Sequence, residues 1–214
     1  MPDFSFERDE FVCGLDEVGR APLAGPVVAA CVFVFPEKRN HGVWRDVKDS
    51  KALTKKRRED LCPQIKEHVA WAIAEASARE IENINIIQAT FLAMKRAYLA
   101  MCRDFDLTIK TALIDGNLAP ALPCATQAIV KGDSKSVSIA AASILAKVYR
   151  DNLMADLARE HNHYGWERNV GYPTAEHMAA IDKHGITDHH RRSFAPVRNF
   201  MEFGVTKGQL GFRL

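Results

Sequence analysis

Apolar positions along the chain fall into runs whose spacing changes from one segment to the next. A short run opens at Phe11-Val12-Cys13 and ends in two adjacent acids, Asp16 and Glu17. Beyond Gly19, Arg20, Pro22 and Gly25 comes a nearly continuous apolar stretch, Pro26 to Phe35, with the composition of a buried strand. The Gly-Arg-Ala-Pro-Leu-Ala-Gly connection between them is tight, so the two runs predict a hairpin. Thr54 has the position of an N-cap, and Leu61 and Ile65 mark the buried stripe of the helix that follows. His68 to Ala76 alternates large and small apolar residues as a third strand would, although its alanines leave a helix open. Glu80 to Asn85 reads as a polar turn. Ile86 to Arg103 reads as a helix, with Ile87, Phe91, Met94, Tyr98 and Met101 at spacings of three or four.

Leu107 to Ile114 reads as a fourth strand, ending in Asp115-Gly116-Asn117. Pro123 to Val130 is a short fifth, ending in the basic turn Lys131-Gly132-Asp133-Ser134-Lys135. The alanine-rich segment from Ser138 to about Glu160 predicts a helix suited to close packing, since small side chains allow close approach. Thr174 caps a helix over Ala175 to Lys183 that Gly185 closes, and Met201 to Leu214, lacking a period, is expected to be a loose tail. This order predicts an α/β fold: one mixed five-stranded sheet flanked by helices, with a C-terminal helical extension. Residues 1–160 would form the core and 161–214 the extension and tail, packed as one unit with it.

Composition narrows the setting. The 214 residues, 47% hydrophobic and 26% charged, suit one soluble domain, and such a chain buries roughly 70% of the surface it exposes when unfolded. No run of eighteen apolar residues occurs, and MPDFSFERDE lacks the apolar core of a signal peptide, so a cytoplasmic protein with no membrane partner is expected. Cys13, Cys31, Cys62, Cys102 and Cys124 are odd in number and form no CxxC, which favours reduced thiols over disulfides or zinc. His161, His163 and His177 match no common zinc spacing. A net charge of +2 neither demands nor excludes a nucleic-acid partner, and nothing in the sequence requires a dimer, so a monomer is expected.

The acids carry the chemistry. An isolated Asp-Glu pair is as well explained by a charged hairpin edge, and Asp115 alone by a turn cap. Together with Asp133, however, Asp16, Glu17 and Asp115 all sit at or just past strand ends, where open α/β sheets gather their sites. If the first strand lies beside the fourth, these carboxylates converge, and such a cluster needs cations; hard oxygen ligands suit Mg²⁺ or Mn²⁺. Basic turns at Lys48/Lys51, Lys131/Lys135 and Arg191/Arg192 would surround it. Metals at a reacting phosphate and bases on its neighbours are what phosphodiester hydrolysis requires. The bases Lys55 to Arg58 oppose their own helix dipole and read as a solvated face or a phosphate-facing patch.

GLDEVGRAPLAGPVVAA, KDSKALT, LIDGN, KGDSKSVSIAAASILAKVYRD and GYPTAEH…HRRSFAPV, in this order from about Phe11 to Val197, resemble bacterial ribonuclease HII. The resemblance implies a ribonuclease H-like fold and an endonuclease that hydrolyses RNA in RNA/DNA hybrids. It also implies cutting 5′ of a ribonucleotide embedded in duplex DNA, leaving 3′-hydroxyl and 5′-phosphate ends. The family's metal-site carboxylates fall on Asp16, Glu17, Asp115 and Asp133, with two Mg²⁺ or Mn²⁺ ions as cofactors; Asp133 would bind a metal only when substrate is present. The family's Gly-Arg-Gly turn, which feels the 2′-hydroxyl, matches Gly19, Arg20 and Ala21, and its sugar-packing tyrosine matches Tyr172. Within that frame Ser50, Lys51, Lys131 and Arg191 are further substrate-binding candidates. Ser138 and Ser143 contact phosphate or bond within their helix, Arg57 and Arg58 face solvent, and Tyr164 and Trp166 are packing residues.

Two departures from the pattern stand out. Alanine replaces the turn's last glycine, which would cost about 1 kcal/mol if that position needed a positive φ. Asn169-Val170-Gly171 stands where the family commonly has His-Lys-Gly. A nuclease that no longer singles out a lone ribonucleotide, or a nucleic-acid-binding module whose acids hold a structural cation, are the competing readings.

Overall fold

The computed structural model describes residues 1–8 and 11–207. The chain divides into two compact units, one of Met1–Val18, Val28–Glu75 and Thr90–Arg150, the other of Gly19–Val27, Ala76–Ala89 and Asp151–Leu214.

The first unit is built on a five-stranded sheet in the order β3-β2-β1-β4-β5, formed by β1 (Val12–Val18), β2 (Val27–Val34), β3 (Val69–Ala76), β4 (Thr111–Asp115) and β5 (Ala125–Ile129). Strand β2 runs antiparallel to β1, with Leu15 opposite Cys31, as the tight connection predicts. Strand β4 is parallel to β1 and β5 parallel to β4, so the sheet is mixed. Every residue of β2 is buried, which explains its unbroken apolar run. The ambiguous segment at Val69–Ala76 is a strand.

One sheet face, with Val28, Ala30, Val32 and Val34, packs with Leu61 and Ile65 of α1 (Lys55–Lys66) and with Ala140, Ala141, Ile144 and Leu145 of α3 (Val137–Glu160). A Cβ added at Gly14 of β1 would lie 2.4 Å from the backbone of Ser138 and Ile139, so the sheet and α3 touch main chain to main chain at that point. The N-terminal segment locks the start of α3 from outside. Glu7 is buried, and its Oε1 accepts from the Ser136 hydroxyl at 2.6 Å, the Ser138 hydroxyl at 2.6 Å and the Ser138 amide at 3.0 Å. That carboxylate sits where the orphan amides and positive end of the helix dipole favour a negative charge.

Two expectations are corrected. Residues 80–84 are helical, not a turn: α2 runs Ala78–Asp104 and is broken at Asn85, where φ is 66° and ψ 166°. Ser77 and Glu80 bond each other's backbone amides reciprocally, a capping box that starts the helix about two turns early. The Asn85 side-chain oxygen Oδ1 accepts from the amides of Ile87 and Gln88, capping the helix that restarts beyond the break. In the second unit a helix covers Ala195–Phe203, so Met201 lies in a helix and not in a tail; residues 208–214 of the expected tail lie outside the described residues. Pro196 in the first turn suits a helix start, and Leu23, Trp166, Ile181 and Val197 supply a core that short-range periodicity did not reveal.

Replacing Gly14 with alanine should lower stability by about 1–3 kcal/mol, the usual cost of overpacking, because backbone rather than a flexible side chain must yield. Urea unfolding of the two proteins measures this, and an unchanged midpoint would show that the contact is softer than its geometry.

Candidate active site

Parallel pairing of β1 with β4 sets Leu15 opposite Ile114. The next residues, Asp16 and Asp115, therefore reach the same edge of the sheet. Asp115 in turn pairs with Ile129 of β5, from which the chain bends through Lys131, at φ 55°, into the turn that carries Asp133. Asp16, Asp115 and Asp133 each bring a carboxylate oxygen to within 4.8 Å of the others. One oxygen of Asp115 accepts from the amides of Gly132 at 2.7 Å and Asp133 at 3.4 Å, so the turn is tied to the strand end.

Ser143 of α3 bonds the Asp16 carboxylate, and its hydroxyl lies 2.8 Å from that of Ser50. Ser50 is buried, and its carbonyl accepts from Arg58 at 2.8 Å, as does that of Leu53 at 2.6 Å. This corrects two expectations: Arg58 braces the turn at Ser50 rather than facing solvent, and Ser143 bonds across to Asp16 and Ser50. The serine pair is a support that motif spacing could not reveal, because its members lie 93 residues apart. Ser138 is occupied by Glu7. Lys51 and Lys131 are exposed beside these groups.

Charge is the dominant feature. Burial, then the neighbouring charges of Glu17 and Asp115, raise Asp16 well above the usual carboxylate range against the hydrogen bonds from Ser143 and the Glu17 amide. Burial likewise raises Asp133, with Asp115 and Asp49 adding to it and Lys51 opposing. For Lys51, partial burial favours the neutral amine, but Asp49, Asp133, Asp16 and Asp115 together outweigh it and raise its affinity for a proton. Three crowded carboxylate oxygens, hard donors whose mutual repulsion a cation relieves, fit a divalent metal ion such as Mg²⁺ or Mn²⁺. Glu17 is half-buried at the same strand end and acts on Asp16 through its charge, outside the group of three.

The other candidates belong to the second unit. Gly19 has φ 89°, a conformation that favours glycine, whereas Ala21 is absent from the described residues with positive φ. The condition under which Ala21 would be strained is therefore not met. Arg191, expected at the substrate, is fully buried and holds the turn from behind: its guanidinium donates to the carbonyls of Gly19 at 2.5 Å, Arg20 at 2.9 Å and Gly25 at 3.0 Å. Leu23 donates to the carbonyl of Gly171 at 2.7 Å, bringing the residue before Tyr172 to the same loop. A Cβ at Gly171 would lie 2.6 Å from the Ala24 carbonyl oxygen, and φ there is 87°, so only glycine fits. Asn169, in the place of the family's histidine, is buried and bonds the Tyr164 carbonyl at 2.7 Å and the Gly171 amide at 2.9 Å. Tyr172 is exposed, while Tyr164 and Trp166 are stacked in the core at 4.9 Å.

A raised Asp16 binds its proton more tightly folded than unfolded, so in metal-free protein its contribution to stability is present at low pH and is lost as pH rises through the folded pKa. Asp16→Asn should therefore be more stable than wild type at neutral pH without metal, and should lose this part of the pH dependence. Adding Mn²⁺ should raise the wild-type melting temperature but not that of the variant. Thermal melts across pH, with and without Mn²⁺, check both; equal metal responses would remove Asp16 from the cation site.

The chain matches the model of one protein family, described as Ribonuclease HII, over residues 13–197. It is 53% identical over 205 residues to the ribonuclease HII of Paramagnetospirillum magneticum, covering 95% of this chain and 100% of that one. Identity to the Rhodospirillum rubrum ribonuclease HII is 52% over 212 residues, covering 97% and 95%. In fold it is similar to the ribonuclease H2 of Pyrococcus horikoshii, with TM-score 0.71 and 24% identity over 90% of this chain and 98% of that one. It is also similar to a Bst-RNase HIII in complex with Mn²⁺, with TM-score 0.74 and 20% identity over 92% and 71%. With a carboxylate cluster at the joined ends of β1 and β4 and the family's motifs matched over most of its length, this chain belongs to the ribonuclease HII family of endoribonucleases.

Proposed function

We propose that the protein is a ribonuclease H that cuts the RNA strand of RNA/DNA hybrids and nicks duplex DNA on the 5′ side of a single embedded ribonucleotide, leaving 3′-hydroxyl and 5′-phosphate ends. The observation that carries this reading is the gathering of Asp16, Asp115 and Asp133 within 4.8 Å, in a chain of this family. These carboxylates, with Glu17, would hold two Mg²⁺ or Mn²⁺ ions, which when bound activate water and neutralise charge on the phosphate and the leaving oxygen. Asp133 would join the set on substrate binding. Lys51, raised in proton affinity by the same acids, stays cationic and holds a flanking phosphate, and Lys131 offers a second cation beside it.

Substrate selection falls to the loop that follows β1. A duplex containing one ribonucleotide differs from plain DNA by one 2′-hydroxyl, which main-chain groups of Gly19, Arg20 and Ala21 are suited to bond. Tyr172 packs against the next sugar. Ala21 supports rather than weakens this reading, because its backbone takes no strained conformation. The protein would act as a cytoplasmic monomer in removing misincorporated ribonucleotides and RNA primers.

Incubation with a DNA duplex holding one ribonucleotide, an RNA/DNA hybrid and an all-DNA duplex, each with and without Mg²⁺ or Mn²⁺, tests the proposal. The expected result is a metal-dependent nick 5′ of the ribonucleotide, cleavage of the hybrid and no cleavage of DNA. Binding with no nick would favour a binding module, and cutting of the hybrid alone would mean that lone ribonucleotides are not recognised. Asp115→Asn should abolish cleavage while leaving the circular dichroism spectrum unchanged.

A further inference from the structure

A run of hydrogen bonds crosses the core of the second unit from Thr187 to Tyr172, and its ends fix every proton in between. The Thr187 amide, which can only donate, lies 2.9 Å from Nδ1 of His190, so that nitrogen accepts. The remaining proton of a neutral His190 ring then sits on Nε2, 3.2 Å from Nε2 of His177. Trp166 Nε1, another obligate donor, points at the same His177 nitrogen from 3.0 Å. His177 Nε2 thus accepts, and its proton is on Nδ1, 2.9 Å from the carbonyl oxygen of Tyr172. Trp166 and His177 are fully buried and His190 nearly so. Burial lowers the pKa of His177 and takes that of His190 down to about 3. His177, His189 and His161 add to the lowering of His190, and for His177 neither its backbone hydrogen bonds at Tyr172 and Gly171 nor Glu176 reverse the effect of burial.

The run meets the substrate loop at both ends. His190 forms a bridge with Ala24, the Arg191 amide donates to the Leu23 carbonyl at 2.8 Å, and the Tyr172 amide is held by the Asn169 carbonyl at 2.8 Å. Tyr172 itself has an exposed ring, so its orientation is set through its main chain. We infer that His177 and His190 are positioning residues for substrate selection, a pair of neutral imidazoles whose fixed protons hold the Tyr172 carbonyl and so aim its ring at the substrate. This rests on reading Tyr172 as the residue that packs on the sugar.

Two isosteric changes separate this role from a merely structural one. His177→Asn can place an amide donor near the position of Nδ1 and keeps the bond to Tyr172; His177→Gln keeps a polar group near Nε2 and loses that bond. The Gln variant should lose about tenfold in kcat/KM on the single-ribonucleotide duplex, mostly through KM, as expected for one lost positioning hydrogen bond, while kcat on that substrate changes little. The Asn variant should recover most of the loss. Equal losses in both variants, or a loss in kcat alone, would overturn the positioning role. The proton positions are tested independently of activity by nitrogen NMR of ¹⁵N-histidine-labelled wild-type protein at neutral pH. The expected result is His177 protonated on Nδ1 and His190 on Nε2; the opposite tautomers or a cationic ring would break the relay. If wild type fails to nick the single-ribonucleotide duplex, the substrate reading and the selection role fail together, and the tautomers still decide whether the relay exists.

Discussion

The first unit depends on an absence: position 14 of the central strand has no side chain. The backbone of Ser138 and Ile139 occupies the space a Cβ would need, so α3 settles onto β1 more closely than two ordinary elements can pack. Three consequences follow from that one approach. Ser143, on the same helix, comes within bonding reach of Asp16. Ile139 covers Gly132, which has no Cβ of its own to resist it, and so presses the turn bearing Asp133 against Asp115. Ser136 and Ser138 meet Glu7, whose charge occupies the positive end of the helix. The arrangement of the acids is thus a packing result before it is an electrostatic one.

Electrostatics then works against packing. Asp16 is drawn into a place where burial and two like charges favour its neutral form. The second unit contains the mirror problem, a fully buried guanidinium at Arg191, and three backbone carbonyls of the loop after β1 accept its hydrogen bonds. Buried charges are tolerated when every donor finds an acceptor. In one unit the charge is left for a cation to neutralise, and in the other it is spent on holding a turn rigid.

Much of this was legible from residues alone. Four of the five strands, the capped helix at Thr54, the long alanine-rich helix and the placement of acids at strand ends follow from runs and spacings, while β3 was open to a helical reading and β4 begins at Thr111 rather than Leu107. The capping box at Ser77 and Glu80 was legible too, but the polar character of Glu80–Asn85 masked it. What could not be read was reach across the sequence: Ser50 meeting Ser143, Glu7 meeting Ser138, and Arg191 turning inward from a cluster that reads as surface basic. Conformation at Ala21 was likewise beyond sequence, since a resemblance indicates where glycine is customary and not whether this chain needs it. The helix Ala195–Phe203 did carry a local signal, Pro196 at its start with Val197 and Phe200 three apart, but its partners, such as Leu23 and Trp166, are distant in sequence.

The strand order has a consequence for how the protein is made. The central strand β1 pairs on one side with β2, which follows it directly, and on the other with β4, which begins only at Thr111. A chain of which only the first hundred residues exist therefore holds three strands, β3-β2-β1, with β1 as an unpaired edge, the kind of surface that recruits a neighbouring chain. Glu7 waits longer still, until Ser138 emerges. Between the synthesis of β1 and that of α3 the central strand thus lacks both its second neighbour and the main-chain contact at Gly14.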